Sequence, residues 1–532
     1  MFCLTTVFRI PGFLFHPNDH RGMNSLLSFS FDKMTSKTKH LPILFGFLFG
    51  ILFVSLLLIR MGLFDSPSAQ TDMIHLSPSE VIADRDTWMN ILQDKKKIGF
   101  SHSRYARLDQ GFHFNETLFM RVNSMGMIQD IGLDTSGTLN TDFSLKSFEF
   151  KISSGRFNFS ARGDISDKRL NLDTQSAGSN QTYQFNLTDD IYFTSGIIQA
   201  ASAGKLKPGD HLTLKVFDPI AMGQESIQLR VLMEEDITIM GQRIKATKIS
   251  LEFKGATQLA WMDEKGDLLR EKGMLGIILE KTTREDAMYG LPIQSSQDLT
   301  TAASIPANID IDNPNMLTHL RFEISGSGSF TEQLQGGRQT YNAPILSIHK
   351  ESLTDLHKKD PALLSMQNLT PFLAPSPFIQ SDHPAIQKLT TDLVSENAPP
   401  LEKVRKLVAW IQTHIQKRPV ISLPDALSTL ENRVGDCNEH AVLFAALARA
   451  AGIPTKIEAG VVYLRNRFFY HAWNSIYVGR WITVDALFDQ LPADVTHIRL
   501  ASGMQKDQLD ILGIIGNLKI QILNGTSTND SN

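Results

Sequence analysis

The stretch GDCNEHAVLFAALARA, residues 435–450, decides the fold of the C-terminal part of the chain. Its second half is apolar on nearly every helical face, which predicts a helix buried at the centre of a domain. Asp436 is the expected N-cap, and Gly452 follows the helix as a C′ glycine does. The pattern therefore predicts Cys437 in the first turn, where helix-terminal N–H groups and the positive end of the dipole favour a thiolate.

Two amphipathic helices are predicted before this stretch and three strands after it. The apolar spacing indicates helices over residues 384–393 and 401–411, separated by a Pro-Pro pair. The three strands are predicted over residues 456–464, 468–478 and 481–487. The second strand carries His471 and the third carries Asp485.

These elements carry residue types that suit thiol chemistry. Cys437, His471 and Asp485 supply a thiol, a base that can take its proton, and a carboxylate that can orient the imidazole. His440 lies about one helical turn from Cys437, but it is assigned a structural role because His471 has the carboxylate partner. The weaker alternatives to Asp485 are Asp489 and Asp494, and the candidate supporting residues are Asn474 and Glu439.

Strand register restricts this hypothesis. A two-residue turn after the second strand would pair Asn474 with Asp485 and send His471 to the opposite face of the sheet. A three-residue loop over residues 478–480 instead places Asp485 opposite Trp473 and diagonal to His471, within side-chain reach. The triad hypothesis therefore predicts the three-residue loop. Trp473 would then share the face of His471, either as sheet packing or as a wall of the cleft.

Three motifs resemble those of the transglutaminase-like superfamily, relatives of papain-type thiol enzymes: GDCNEHA at 435–441, YHAWN at 470–474 and WITVD at 481–485. The resemblance extends over roughly residues 384–502, under a quarter of the chain. It implies that Cys437 is the nucleophile, that His471 is the general base and then the acid, and that Asp485 orients the imidazole.

The resemblance implies a type of chemistry better than it implies a substrate. The family includes cross-linking transferases, proteases, amidases and inactive members, so we expect thiol acyl transfer on protein or peptide amides, followed by hydrolysis or transfer to an amine. Hydrolysis is favoured because no feature marks a site for an amine. Ala486 stands where the family usually has a proline, a departure that bears on local geometry. The backbone N–H of Cys437 is the expected oxyanion donor.

Composition excludes several other classes of protein. The chain has 532 residues, 42% hydrophobic and 20% charged, with a net charge of -4, so it is neither disordered nor collagen-like and has no basic field for nucleic acid. The two cysteines, Cys3 and Cys437, exclude a disulfide framework and a Cys-rich metal site, and they offer no resolving thiol for a redox role. No cofactor or metal is expected.

One apolar run predicts a membrane anchor. Residues 41–59 carry no charge and would span about 28 Å as a helix. Three lysines precede the run, so the positive-inside rule places the N-terminus in the cytoplasm and residues 61–532 outside it. A cleaved signal peptide is the alternative, although the run is long for one. Met23 and Met34 are alternative translation starts.

Between the anchor and the C-terminal part, short runs of alternating apolar and polar residues predict an antiparallel β-rich module with a recognition or spacer role. Residues 263–267 are typical of a hairpin turn. A proline-rich region follows, with strand candidates at 320–324 and 345–348. The chain is therefore predicted to be of the α+β class. Its predicted divisions are a cytoplasmic segment (1–40), a transmembrane anchor (41–60), a β-rich module (73–300), a β element with a proline-rich linker (301–383), a transglutaminase-like domain (384–525) and a disordered tail (526–532).

The favoured function is therefore a thiol enzyme held on the lipid bilayer by one transmembrane helix, acting outside the cytoplasm on a protein or peptide substrate. The bacterial periplasm is the preferred compartment, since a eukaryotic lumenal protein would more often have paired cysteines. The alternative is a catalytically inactive scaffold whose β-rich region engages an envelope partner.

Overall fold

The computed structural model describes residues 84–176, 179–193, 196–198, 206–218, 223–291, 298–326, 333–354, 369–503 and 514–527. They all belong to one compact unit of the chain. The predicted cytoplasmic segment and membrane anchor lie outside the described residues, as does Cys3. Within the described ranges, no helix is both long enough and apolar enough to cross a membrane.

The first fifteen strands are β1 Arg85–Gln93, β2 Lys96–Arg107, β3 Phe112–Ser124, β4 Met127–Leu139, β5 Leu145–Ser154, β6 Phe157–Ser166, β7 Arg169–Ser176, β8 Ser179–Asn186, β9 Ile191–Tyr192, β10 His211–Asp218, β11 Gly223–Ile239, β12 Gln242–Phe253, β13 Ala256–Met262, β14 Leu268–Lys272 and β15 Ile277–Thr282. The later strands are β16 Ile305–Pro306, β17 Leu317–Ser325, β18 Gln339–Asn342, β19 Ile345–His349, β20 Gln416–Lys417, β21 Val434–Gly435, β22 Thr455–Leu464, β23 Arg467–Tyr477, β24 Trp481–Val484, β25 Ile498–Gly503 and β26 Lys519–Ser527. The helices are α1 Arg284–Met288, α2 Leu299–Ala303, α3 Pro384–Leu393, α4 Pro400–His414, α5 Ala426–Asn432 and α6 Cys437–Ala450.

Strands β1–β15 form one large sheet, in the order β8-β7-β6-β5-β4-β3-β2-β1-β15-β14-β13-β12-β11-β10-β9. Neighbouring strands such as β1 and β2 run antiparallel, whereas β9 and β10 are parallel. In β7, the buried Leu170 and Leu172 alternate with exposed polar residues, the period of a strand with one face in a core. The hairpin predicted at residues 263–267 joins β13 to β14. The predicted antiparallel β-rich middle region is confirmed.

A second sheet carries the residues of the predicted site. Its strands are ordered β16-β23-β22-β25, and β24 pairs with β23. One hydrophobic cluster joins this sheet to the helices, and contains Ile476 and Phe444. Another joins it to a third sheet, ordered β18-β19-β17-β26, where Phe322 meets Phe468 edge to face at 6.0 Å. The C-terminal region is therefore a mixed arrangement of helices and strands, as predicted.

Helix α6 begins at Cys437 as predicted, and both of its ends are closed by hydrogen bonds. The side chain of Asp436 accepts from the N–H of Asn438 at 2.9 Å, and Glu439 Oε2 accepts from the N–H of Asp436 at 3.0 Å. At the other end, the buried Arg449 donates to the carbonyl of Thr455 at 2.9 Å. The apolar helix is thereby fixed at both ends.

The segment predicted as a β element and linker contributes strands to these C-terminal sheets. The candidates at 320–324 and 345–348 are confirmed as parts of β17 and β19, and β17 pairs with β26. Strand β26 continues to Ser527, two residues into the predicted tail. The boundaries between the predicted domains stay predictions.

Candidate functional site

The hairpin between β23 and β24 has the predicted register. Tyr477 pairs with Trp481, so the loop is the three residues 478–480, and Asn474 pairs with Val484. Strand β24 ends there, earlier than predicted, because the chain turns at the next residue, Asp485. This register is the one that the triad hypothesis required.

The register brings His471 and Asp485 into direct contact. Nε2 of His471 lies 2.6 Å from Oδ2 of Asp485, and the two side chains are 4% and 1% exposed. The other carboxylate oxygen, Oδ1, accepts the backbone N–H groups of Leu487 at 2.7 Å and Phe488 at 2.9 Å. This turn holds the carboxylate in one orientation and directs it at the imidazole.

The carboxylate of Asp485 is ionised. Burial by itself raises the pKa of Asp485, but the charge and hydrogen bond of His471, together with those of His497, outweigh burial and hold the pKa well below its usual range. A buried acceptor that stays negative can orient an imidazole and stabilise it once it is protonated.

Cys437 lies in the first turn of α6, partly buried and free of any disulfide. Burial and the negative charge of Asp436 raise the pKa of its thiol well above the ordinary value, although a hydrogen bond from the backbone N–H of Ala472 opposes them. The expected stabilisation of a thiolate is therefore outweighed in the resting site, because the acidic N-cap that starts the helix also repels a thiolate.

Cys437 and His471 are held on two elements that are bonded to each other. The backbone N–H of Ala472, the neighbour of His471, lies close enough to Cys437 to lower the pKa of its thiol. Two residues further along β23, Asn474 donates its Nδ2 to the carbonyl of Ala441 on α6 at 3.0 Å. The Asn474 bond fixes the strand of the predicted base against the helix of the predicted nucleophile. The supporting role of Asn474 in catalysis stays a prediction.

Glu439 connects the start of α6 to the large sheet. Its Oε1 accepts from the hydroxyl of Ser422 at 2.5 Å. Just before Ser422, Gln129 of β4 binds the carbonyl of Pro419 and the N–H of Ile421, both at 3.0 Å. The large sheet therefore fixes the loop that in turn fixes the helix of Cys437.

Aromatic rings enclose His471. The ring of Phe488 stacks on it with centroids 5.0 Å apart, and that of Trp473 with centroids 6.0 Å apart. Trp473 is only 1% exposed, which favours sheet packing over a wall of an open cleft. Because these rings pack against the imidazole, they restrict its rotation.

The other predicted alternatives take different places. Nδ1 of His440 lies 2.7 Å from the carbonyl oxygen of Asp436, so this imidazole is engaged by the backbone of its own helix. Burial lowers the pKa of His440. Asp489 is an exposed residue with a φ of 58°, in the turn after Asp485. Neither residue occupies the position that the hypothesis gives to His471 or Asp485.

Sequence reasoning missed His497, which lies on the same carboxylate as His471. Its Nε2 is 3.0 Å from Oδ2 of Asp485 and its Nδ1 is 3.2 Å from Oδ1 of Asp494. Asp494, a weaker alternative to Asp485 in the sequence, thus lies on the far side of this second histidine. The available signal was the Asp-x-x-His spacing after the third strand.

The cluster of His471, Asp485 and His497 has ligand types that suit zinc, with donor atoms within 4.8 Å of one another. Two ligands of one tetrahedral zinc lie about 3.3 Å apart, given metal–ligand distances of 2.0–2.1 Å. The His471 and Asp485 atoms are 2.6 Å apart, and the oxygen they share with His497 already receives both nitrogens. The geometry fits hydrogen bonding and does not fit a metal centre.

The comparison with protein families agrees with these motifs. Residues 387–486 match the family described as the Transglutaminase-like superfamily. This stretch is a transglutaminase-like domain. Kyphoscoliosis peptidase of Mus musculus is 30% identical in an alignment of 129 positions, which covers 21% of this chain and 19% of that protein. The chain thus spans about a fifth of the length of the curated relative that it matches.

Two solved structures also resemble the chain. A candidate cysteine protease from Cytophaga hutchinsonii is 22% identical with a TM-score of 0.26, over 40% of this chain and 86% of that one. The periplasmic domain of TgpA from Pseudomonas aeruginosa, bound to ethylmercury, is 18% identical with a TM-score of 0.21, over 32% of this chain and 90% of that one.

Proposed function

We propose that the protein is a membrane-anchored, extracytoplasmic thiol enzyme, located in a bacterial periplasm, that forms an acyl-enzyme on protein or peptide amides. Cys437 is the nucleophile, His471 the general base and then the general acid, and Asp485 the group that orients the imidazole. The observation that carries the proposal is the buried 2.6 Å contact between His471 and Asp485, on the strand that Asn474 bonds to the helix of Cys437.

The reaction uses the two nitrogens of His471 for different purposes. Nε2 is engaged by Asp485, so Nδ1 is the nitrogen that takes the thiol proton as Sγ attacks the amide carbon. The carbon–nitrogen bond then breaks while the imidazolium gives its proton to the leaving amine, which leaves a thioester. Water, deprotonated by the same imidazole, attacks the thioester, releases a carboxylate and restores the thiol.

Because the pKa of the Cys437 thiol is raised, we infer that its proton leaves during the attack on the amide and not before it. Burial and Asp436 disfavour a preformed thiolate, so His471 acts as a general base during the attack. The developing oxyanion has one donor on α6, the backbone N–H of Cys437. The N-terminus of α6 also carries the positive end of the helix dipole, which stabilises negative charge there.

Release to water is proposed over transfer to an amine, because no described residue marks an amine site. Both routes share every step up to the thioester, so the same three side chains serve either outcome.

The rate at which iodoacetamide alkylates Cys437 tests this function. The full chain is labelled at several pH values and the Cys437 peptide is quantified by mass spectrometry, which separates it from Cys3. We expect His471→Ala to slow labelling at pH 7 by about 10²- to 10⁴-fold, the usual contribution of a general base. In that variant, labelling should become rapid only well above pH 8.5, about the pKa of a free thiol, because burial disfavours the thiolate.

His440→Gln is the matched control. This histidine is buried and close to Cys437 in sequence, but its Nδ1 is engaged by the Asp436 carbonyl, so the variant should keep most of the wild-type labelling rate. Equal labelling of wild type and His471→Ala would contradict the proposal and favour the inactive scaffold.

A further inference from the structure

A second imidazole shares the carboxylate of Asp485. His497 has no exposed surface, and its Nε2 lies 3.0 Å from the same Oδ2 that receives His471. With the N–H groups of Leu487 and Phe488 on Oδ1, Asp485 receives four hydrogen bonds, which matches the four acceptor sites of a carboxylate. The side chain therefore has no free lone pair and cannot rotate without losing partners.

The other side of His497 is held by Asp494. Nδ1 of His497 lies 3.2 Å from Asp494 Oδ1, and that oxygen also accepts the N–H of Thr496 at 2.8 Å and its hydroxyl at 2.6 Å. Asp494 Oδ2 accepts Nε2 of Gln490 at 2.9 Å. Asp494 is thus a fixed acceptor, and it holds the imidazole of His497 at Nδ1, the nitrogen that does not face Asp485.

Two carboxylates facing one imidazole determine its protonation state. A neutral imidazole donates from one nitrogen only, whereas each nitrogen of His497 faces a carboxylate oxygen that can only accept. Burial alone lowers the pKa of His497, but the hydrogen bonds to Asp485 and Asp494 outweigh burial and raise the pKa. His497 is therefore an imidazolium that lies between two negative groups.

In the part of the chain that the structure describes, the remaining charged groups near His497 do not supply an alternative partner. The guanidinium of Arg338 binds the backbone carbonyls of Asp494 at 2.8 Å and His497 at 3.2 Å, and it is paired with Glu351 at 3.1 Å. The ring of His471 meets that of His497 edge to face, with centroids 5.5 Å apart, and its Nε2 is engaged by Asp485. The charges that face the imidazole ring are therefore those of the two carboxylates.

We propose that His497 is a positioning residue for the thiol reaction, an imidazolium anchored on Asp494 that fixes the carboxylate of Asp485 towards His471 and compensates its charge. This role rests on the function proposed above. Compensation matters because an imidazole must be neutral to take a thiol proton, and an uncompensated negative charge beside an imidazole favours its protonated form. A fixed and partly neutralised Asp485 orients the imidazole without trapping a proton on it.

Alkylation of Cys437 by iodoacetamide across pH tests the proposal through three variants of the full chain. His497→Gln retains a hydrogen-bond donor without the charge, His497→Ala removes both, and Asp494→Asn removes the anchor. We expect the acidic limb of the labelling profile to move to higher pH by roughly one unit in His497→Gln. In His497→Ala we expect the labelling rate of Cys437 at pH 7 to fall further, by about tenfold to 100-fold, the usual effect of removing a residue that orients a side chain of the site.

Leu500→Ala is the control for a general loss of stability. Leu500 is also fully buried on β25, but it is apolar and cannot bond to Asp485. It should destabilise the fold without moving the pH profile. A profile in folded His497→Gln that coincides with the wild type, or a shift of the same size in Leu500→Ala, would overturn the proposal.

A second readout does not depend on Cys437. In ¹⁵N-histidine spectra of the full chain at pH 7, with His497 assigned through His497→Gln, both ring nitrogens of His497 should carry protons, and one of them should lose its proton in Asp494→Asn. A neutral His497 in the wild type would overturn the charge assignment even if labelling depends on His471. A protonated His497 in a chain whose labelling ignores His471 would instead show that the proposed function has failed.

Discussion

The large sheet and the C-terminal site use similar polar pairs in opposite ways. On the sheet, Arg121 and Asp130 meet at 2.6 Å across neighbouring strands, with side chains 23% and 47% exposed, so water can replace either partner. In the site, His471 and Asp485 meet at the same distance with side chains at most 4% exposed. The comparison shows that the contact distance does not decide what a pair contributes. Burial decides it, because a buried partner that is lost cannot be replaced.

The largest expected effect comes from removing the shared acceptor of the buried network. Asp485→Ala leaves His471 and His497 without their common carboxylate, and an alanine offers neither imidazole a hydrogen-bond acceptor in its place. We expect the free energy of unfolding, measured by denaturant titration at pH 7, to fall by about 3–5 kcal/mol, the range for breaking a buried pair. A loss below about 1 kcal/mol would place this pair in the same class as the pairs on the sheet.

The large sheet has its own sensitive positions, but they are apolar. Leu172 is fully buried in the core of the sheet. Leu172→Ala should lower the free energy of unfolding by about 3 kcal/mol through lost apolar burial and the cavity that remains. It should leave the labelling rate of Cys437 unchanged in the folded protein. A matching loss of labelling would mean that the sheet core and the site are coupled more tightly than their separate hydrophobic clusters indicate.

The charge of His497 should make the stability of the site depend on pH. The pKa of His497 is raised, so its contribution to stability is full below about pH 6.5 and is lost as pH rises through the folded value. The pKa of Asp485 is lowered, so its contribution is present above about pH 4 and is lost as pH falls. Wild type should therefore exceed His497→Gln in unfolding free energy most between about pH 4 and 6.5. An excess that stays constant up to pH 9 would contradict the charge assignment.

The smallest effect is expected on the surface of the sheet. Asp130→Ala should change the free energy of unfolding by less than about 1 kcal/mol, and added salt should reduce the difference further. Denaturant titration at low and high salt measures both. A salt-independent loss of several kcal/mol would show that this exposed pair behaves like the buried one, and the comparison would fail.

Patterns among residues close together in sequence predicted most of the helices and strands that carry the site residues. The start of α6 followed from one N-cap residue and an apolar run, and the strand that carries His471 followed from its period. The loop over residues 478–480 followed from the alternation of faces along a strand, because an odd-length loop or a bulge is needed to bring Asp485 to the face of His471. Each of these depends on residues close together in sequence.

The features that sequence reasoning missed depend on contacts between distant segments. His497 reaches Asp485 only because the chain after β24 returns to pair Ile498 with Val461 of β22. Likewise, β17 pairs with β26 across almost 200 residues, and no local pattern predicts a partner that distant. The raised pKa of Cys437 was missed for a related reason, since its burial depends on how other elements pack around α6.

The proposed mechanism requires Cys437, His471 and Asp485 to act as one unit, and a double-mutant cycle measures whether they do. The iodoacetamide labelling rate of Cys437 at pH 7 is measured in wild type, His471→Ala, Asp485→Ala and the double variant, each shown to be folded by circular dichroism. Because the role proposed for Asp485 is to orient His471, we expect the double variant to label as slowly as His471→Ala and no slower. Two losses that multiply in the double variant would contradict it.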